Sequence, residues 1–373
     1  MQVAIIGLRA YPASFSGTSG VEVYCEQILK RKVFLRQDNF EIFTRDKYQK
    51  EGEVVASNIK VTPLLTISSK VFETIFYSFF ASCLSALSAS EVIWYHGVGP
   101  ALFAFIPRIF GKKILLTVHS ADWQRRKWSA VEKKLFFWST FLIFKTPHKL
   151  ATVSQKLVEQ LHVSYQVLAT YAPPGMFNFS PKNPLKNDFS ERYILYLGRV
   201  VPEKRVDWLL KAFTHLEKEK KFSGLLVIAG GHGNSPQYEL MLKKKYPHHS
   251  IKWIGYVFGR KKEKLIRDAD SFILPSELEG NSISLLEAIS MRKKCLVADS
   301  VIENEMKMLS FIYTFPTDSY LAFVQNLKKI VQVESTVKGR EIELEKMRRL
   351  YSWEKTANIY KTLLFEMSKT FPI

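Results

Sequence analysis

Cysteine is scarce in this sequence: three in 373 residues, Cys25, Cys83 and Cys295, far apart and forming no C-x-x-C pair. A disulfide framework and a zinc knuckle are thereby excluded, and a reducing compartment fits. All three are expected as small core residues. Long hydrophobic runs are missing too. The longest apolar segment, 71–87, is interrupted by Glu73 and several serines. It falls short of the ~20 apolar residues that a spanning helix needs and is expected as a buried helix. Residues 1–7 lack a basic stretch, and their apolar run is too short for a secretory signal, so the expected location is cytoplasmic. Carboxylates are in short supply: 35 Asp and Glu face 54 Lys and Arg, a net charge of +19. The deficit is spread along the chain, with 21 basic against 12 acidic residues in 1–180 and 33 against 23 in the remainder. No basic arm is joined to a neutral domain. The excess serves solubility or attracts an anionic partner, whether nucleotide, nucleic acid or lipid surface. No recognised nucleic-acid module accompanies it, and no nucleic-acid partner is expected. The first strand is not followed by G-x-G-x-x-G, which argues against a nicotinamide oxidoreductase.

What remains is ordinary for a globular protein: 47% apolar and 24% charged residues. The length calls for two domains. Short buried strands are expected over Val3–Gly7, Phe40–Thr44, Glu91–Tyr95, Lys113–His119 and Leu150–Val153, the last running into a helix capped by Ser154, with helical patterns between them. Tyr171-Ala172-Pro173-Pro174-Gly175 and the polar stretch 180–190 read as a linker. The alternation then restarts, with strands at Tyr193–Leu197, Leu225–Ala229, Ile251–Ile254, Ser271–Leu274 and Cys295–Ala298 separated by helices. Alternating strands and helices make an α/β protein with parallel sheets. The domains are expected at 1–175 and 176–352, each Rossmann-like, facing across a central cleft, with a last helix at about 353–373 returning to the first. Ligands of such sheets lie beyond the carboxyl ends of the strands.

Chemistry concentrates at those ends. Pro275-Ser276-Glu277-Leu278-Glu279-Gly280-Asn281-Ser282 directly follows a buried strand and opens a helix that contains Glu287. Gly280 allows close backbone approach, Asn281 or Ser282 can cap, and the free amides at the helix start form an anion site. Two carboxylates flanking such a terminus suit a sugar nucleotide, with the amides on the diphosphate and each glutamate on vicinal hydroxyls. Taken alone, the pattern also fits a capped helix with two solvated glutamates. Gly198-Arg199-Val200-Val201-Pro202-Glu203-Lys204 follows another strand, where a guanidinium and an ammonium can clamp a pyrophosphate. His119 ends a strand and should project from it. Asp268 and Asp270, a superficial metal pair, are read as structural, and no metal or cofactor is expected.

The segment 275–288 resembles the Glu, seven residues, Glu signature of retaining GT-B glycosyltransferases, specifically glycosyltransferase family 4. The resemblance implies that Glu279 faces the donor sugar and Glu287 holds the ribose. It implies a diphosphate role for Arg199 and Lys204, and departs from the family at Arg205, where glycine is usual; that arginine adds a phosphate contact or points to solvent. Gly17-Thr18-Ser19-Gly20-Val21-Glu22 is similar to the family's glycine loop near the donor phosphates. Ile254-Gly255-Tyr256-Val257 is similar to the strand end whose backbone reads the base, and Gly230-Gly231-His232-Gly233 to the family's Gly-x-Gly turn. The stretches 7–12 and 118–128 look like a subgroup that includes bacterial rhamnosyltransferases, and imply that His119 lies near the reacting sugar with Asp122 and Trp123 on the acceptor side. The expected activity is retaining, metal-independent transfer of a hexosyl or deoxyhexosyl group from a nucleotide-diphosphate sugar to a lipid-linked or surface-polysaccharide glycan. The other reading is a sugar-nucleotide-binding assembly factor without turnover. The basic and aromatic stretch 123–144 reads as a contact for an anionic membrane surface, which would make the protein peripheral, or as a core helix with a solvated basic face.

Overall fold

The computed structural model describes residues 1–13, 19–34, 37–49, 55–66, 72–121, 123, 139–179, 189–233, 235–333 and 340–369. The chain divides into two compact units, Met1–Gly175 with Ser352–Ile373, and Met176–Tyr351.

The apolar strands of the first unit pair in parallel. They are β1 (Gln2–Ile6), β2 (Asn39–Arg45), β3 (Ile59–Leu64), β4 (Val92–His96), β5 (Lys113–Val118), β6 (Lys149–Thr152) and β7 (Thr170–Tyr171), in the order β3-β2-β1-β4-β5-β6-β7. The second unit holds β8 (Tyr193–Leu197), β9 (Leu225–Ala229), β10 (Ile251–Gly255), β11 (Ser271–Leu274), β12 (Lys294–Ala298) and β13 (Ile312–Phe315), ordered β10-β9-β8-β11-β12-β13. β4, β8, β9, β11 and β12 are buried along their whole length. Burying one Leu, Ile or Val side chain contributes roughly 1.5–3 kcal/mol, so these continuous apolar runs require cover on both faces. Helices supply it. Val206–Lys218 turns Val206, Leu209, Leu210, Phe213 and Leu216 inward at helical spacing. The last helix, Trp353–Lys369, belongs to the first unit, where the Tyr360 hydroxyl meets those of Tyr24 (3.1 Å) and Thr117 (3.0 Å) and its ring lies against Trp94.

The expected strands are present, with no end displaced by more than one residue. β3, β7 and β13 were not expected; all three are edge strands, and Pro63 in β3 is the kind of residue that only an edge tolerates. The stretch Tyr171–Gly175, read as a linker, does lead to the boundary between the units after Gly175, although Tyr171 lies in β7 and 172–175 are buried. Two further readings need correction. Cys25 and Cys295 are buried, but Cys83 is half-buried. The helix Phe72–Leu87 is not buried by its apolar residues. It turns Tyr77, Ser78, Ala81, Ser82 and Ser85 inward and leaves Phe76, Phe79, Phe80 and Leu84 exposed. Most of the inward polar groups find partners: the Tyr77 hydroxyl donates to Phe43 O and accepts from Gly7 N, Ser82 bonds Tyr95, and Glu73 pairs with Arg45 and Lys47, while the buried Ser78 hydroxyl has none among the described residues. A hydrogen-bonded hydroxyl stripe can pack on a sheet as closely as an aliphatic one.

β1 is followed by Gly7, whose φ of +116° and close approach to β4 exclude a side chain; a Cβ would run into the His96 carbonyl. Gly7→Ala is expected to cost about 2 kcal/mol or more, lowering the thermal midpoint by about 4–8 °C. An unchanged midpoint in a thermal melt would contradict this packing.

Candidate functional site

In a doubly wound sheet the crevice opens where strand order reverses. In the second unit that point lies between β8 and β11, neighbours in space whose first residues, Tyr193 and Ser271, stand 78 positions apart in sequence, and the two loops leaving them are 198–205 and 275–282.

These two loops are tied together at three points. The Lys204 ammonium pairs with the Glu279 carboxylate, and both side chains are nearly buried. Glu277 N donates to Glu203 O at 3.0 Å. The Arg205 guanidinium reaches Glu277 Oε2 at 2.6 Å and 3.1 Å. Burial pushes the Lys204 pKa down and the neighbouring Arg199 adds to this, while Glu279 opposes it. Arg199 is half-buried; its backbone carbonyl accepts the Tyr196 hydroxyl at 2.7 Å, and its side chain lies beneath Gly233. Beyond Gly280 and Asn281, Ser282 caps the helix Ile283–Ser290, its Oγ accepting from Leu285 N at 3.4 Å. Two cations, a carboxylate and a helix N-terminus therefore share one strand-end region. A site of that composition can receive an oxyanion group and, through Glu279, a hydroxyl.

Arg205 departs from both sequence readings. It is buried and takes φ +49°, the left-handed conformation that suits glycine. Its guanidinium is committed to Glu277, Asp318 and the Thr317 carbonyl, and lies 4.4 Å from the Trp208 ring centroid. It braces a loop.

Glu287 is buried, and Lys262 from the helix Gly259–Asp268 donates to its Oε1 at 2.6 Å. Burial raises the Glu287 pKa and Lys262 opposes the shift. Around β9 and β10 the glycines permit close packing: a Cβ on Gly230 would meet Gly198 O, and one on Gly231 would meet the Tyr256 ring. Tyr256 is thereby held over Gly231 with part of its ring exposed, while Val257 is buried. Asp268 and Asp270 face cations, Arg267 and Lys264 for the first, Arg192 and Lys294 for the second.

In the first unit, His119 follows β5. Its Nε2 lies 3.0 Å from His96 Nδ1, the rings are stacked, and Tyr24 meets it edge-on. Trp123 packs edge-on against Phe144 and Tyr165. Ser19 caps the helix Gly20–Leu29, and Glu22 ties its start to the preceding loop, accepting from Ser19 N, Ser19 Oγ and Arg9 N. Gly17, Thr18, Asp122 and the stretch 124–138 lie outside the described residues. Among those described, no group of three or more His, Cys, Asp or Glu side chains is placed to hold a metal ion.

Sequence reasoning missed Lys262 and His96. Lys262 stands in the basic run Arg260-Lys261-Lys262, which carries no mark of the member that turns inward. His96 ends β4 as His119 follows the adjacent β5, and the register of two neighbouring parallel strands was the available signal.

Residues 179–309, which contain all of the second-unit candidates, match the family model for glycosyl transferases group 1. An uncharacterized glycosyltransferase of Methanocaldococcus jannaschii is 25% identical over 192 residues, 48% of this chain and 47% of that protein. The O-antigen chain mannosyltransferase B of Escherichia coli is 30% identical over 99 residues, 26% of each. The matches thus span about half or less of these curated relatives. Sucrose-phosphate synthase from Thermosynechococcus elongatus superimposes with a TM-score of 0.82 at 17% identity over 100% of both chains. The chain has the GT-B fold, two Rossmann-like α/β domains with parallel sheets.

Burial, with His119 beside it, holds the His96 pKa well below the ordinary 6.5. The folded protein keeps this imidazole neutral, whereas the unfolded chain takes up a proton below that pH. The stability it contributes is full above 6.5 and is lost as the pH falls, by about 1.4 kcal/mol between pH 7.5 and 5.5. Urea unfolding at the two pH values should show a smaller loss in His96→Gln than in the wild type. Equal losses would remove His96 as the source.

Proposed function

We propose that the protein is a glycosyltransferase of the family 4 type, which moves a hexosyl or deoxyhexosyl group from a nucleotide-diphosphate sugar to a hydroxyl of a lipid-linked or surface-polysaccharide glycan. The observation that carries this reading is the convergence of Arg199, Lys204, Glu279 and the capped start of Ile283–Ser290 at the strand ends of one Rossmann-like unit. It lies within the segment that matches the glycosyl transferases group 1 model.

The difficult step is departure of the nucleoside diphosphate, on whose oxygen negative charge builds. Arg199, Lys204 and the helix amides supply positive potential already in place, so little reorganisation is needed as the bond breaks. Lys204 is held by Glu279, and the same carboxylate is suited to a sugar hydroxyl. Glu287 offers Oε2 to a ribose hydroxyl while Lys262 keeps Oε1. Tyr256 and Val257 are assigned to the base. In the first unit His119, with His96 fixing its ring, is the candidate for handling a proton, and rhamnose is the sugar that the resemblance favours. Retention of configuration is proposed, with an oxocarbenium-like sugar and no enzyme nucleophile, as is chemistry without a metal or cofactor.

Two substitutions test the reading. Glu287→Gln should weaken nucleotide-sugar binding about tenfold, as expected for loss of a charged hydrogen-bond acceptor; calorimetry showing unchanged affinity would remove the ribose contact. Arg199→Ala should lower turnover roughly 10²–10³-fold, in line with loss of a transition-state donor. Wild-type release of nucleoside diphosphate by that variant would take Arg199 out of the reaction.

A further inference from the structure

The helix Phe72–Leu87, the turn Pro100–Phe103 and the helix Phe105–Ile109 pack together on the first unit. The outer side of this group is apolar. Phe80 is 50% exposed and Ile109 78%, and Phe76, Phe79, Phe105 and Phe110 are exposed with them. The rings touch one another: Phe79 meets both Phe80 and Phe103, and Phe76 stacks on Phe80. Arg108 carries the face onward, because its guanidinium donates to the carbonyls of Thr146 and Lys145 at the end of the helical stretch 139–145. That stretch adds Leu142, 69% exposed, and Phe141. Scattered exposed leucines are normal; a contiguous aromatic and aliphatic face marks a contact surface.

We propose that this face rests on an anionic lipid bilayer. The charge around it points to that occupant. Arg108 lies within the face, Lys112 donates to Ser88 O just beyond the end of Phe72–Leu87, and Lys145 extends over the Phe141 ring. Carboxylates are absent from the sequence at 92–121 and at 139–158, and Glu91 is the only one in 74–121. Apolar rings with cations beside them and so few acids in these stretches of the sequence fit acyl chains below anionic headgroups. A second copy of the chain fits poorly, since a two-fold contact would set this one-signed face against itself. Among the described residues no helix is long and apolar enough to cross a membrane, so the face lies on the surface. The proposal stands on this face alone and is independent of the donor-site reading.

The test is co-sedimentation of the full chain with phosphatidylcholine vesicles with and without phosphatidylglycerol. The wild type should bind the anionic vesicles and lose binding in high salt. Phe80→Ser with Ile109→Ser should lower partitioning at least tenfold while nucleotide-sugar binding in solution is retained. Arg108→Gln with Lys145→Gln should lower it about fivefold per cation removed, on anionic vesicles only. Leu142→Ser, on a separate helix, gives the same reading where the first pair impairs folding. Three results would overturn the proposal: no binding by the wild type, equal binding by the serine variants, or a wild-type dimer that the serine pair converts to monomer with no vesicle binding by either. Loss of nucleotide-sugar binding in Glu287→Gln, with vesicle binding intact, would bear on the donor site alone.

Discussion

The Lys204–Glu279 pair is the interaction on which the second unit's strand-end region depends. Two charges withdrawn from water are costly unless they meet, and removing one partner of such a pair costs about 3–5 kcal/mol because the other is left stranded. Such a pair is a weak source of stability compared with an apolar substitute. Its effect here is positional. It fixes the loop after β8 to the loop after β11 at the reversal of strand order, and so sets a cation, a carboxylate and a capped helix start in one place. A mobile Lys204 would leave the same atoms in the sequence without a preformed anion site.

Arg205 shows how the same region tolerates a broken local rule. A left-handed residue with a side chain is strained, by about 1–3 kcal/mol. The guanidinium offsets that strain through Glu277, the Thr317 carbonyl and the face of Trp208. Glycine at this position would relax the backbone and leave Glu277 without its guanidinium. The loop is therefore held by arginine where the resembling family relies on glycine's freedom.

The central strands were legible because burial on both faces leaves an uninterrupted apolar run, as in Tyr193–Leu197 and Leu225–Ala229. Edge strands are half-covered and carry mixed sequences, so Ile59–Leu64, with Lys60 and Pro63, gave no such signal. The pairing of Lys204 with Glu279 joins residues 75 positions apart, and only the order of strands in the sheet brings them together. Lys262 was hidden among equivalent basic neighbours for the same reason. The helix Phe72–Leu87 was misread in a different way: its periodicity locates two faces but does not say which is inside. Hydrophobicity would turn the phenylalanines inward, yet Tyr77 and Ser82 face the sheet because each finds a hydrogen-bond partner there.

The cations of the strand-end region and those beside the exposed apolar face differ in what they meet. In the second unit, Lys204, Arg205 and Lys262 each meet a carboxylate and hold loops in place. Beside the exposed apolar face of the first, Arg108 and Lys112 meet backbone carbonyls, and the sequence over 74–121 holds a single acid, Glu91. A surplus that served solubility alone would need no such depletion, since acids interspersed with bases keep a surface soluble equally well. Removing acids from around an apolar face has a physical consequence only if something negative approaches it. The net charge of +19 is not confined to this face, since the part of the chain after residue 180 carries +10 of it; what is local to the face is the scarcity of acids beside its cations.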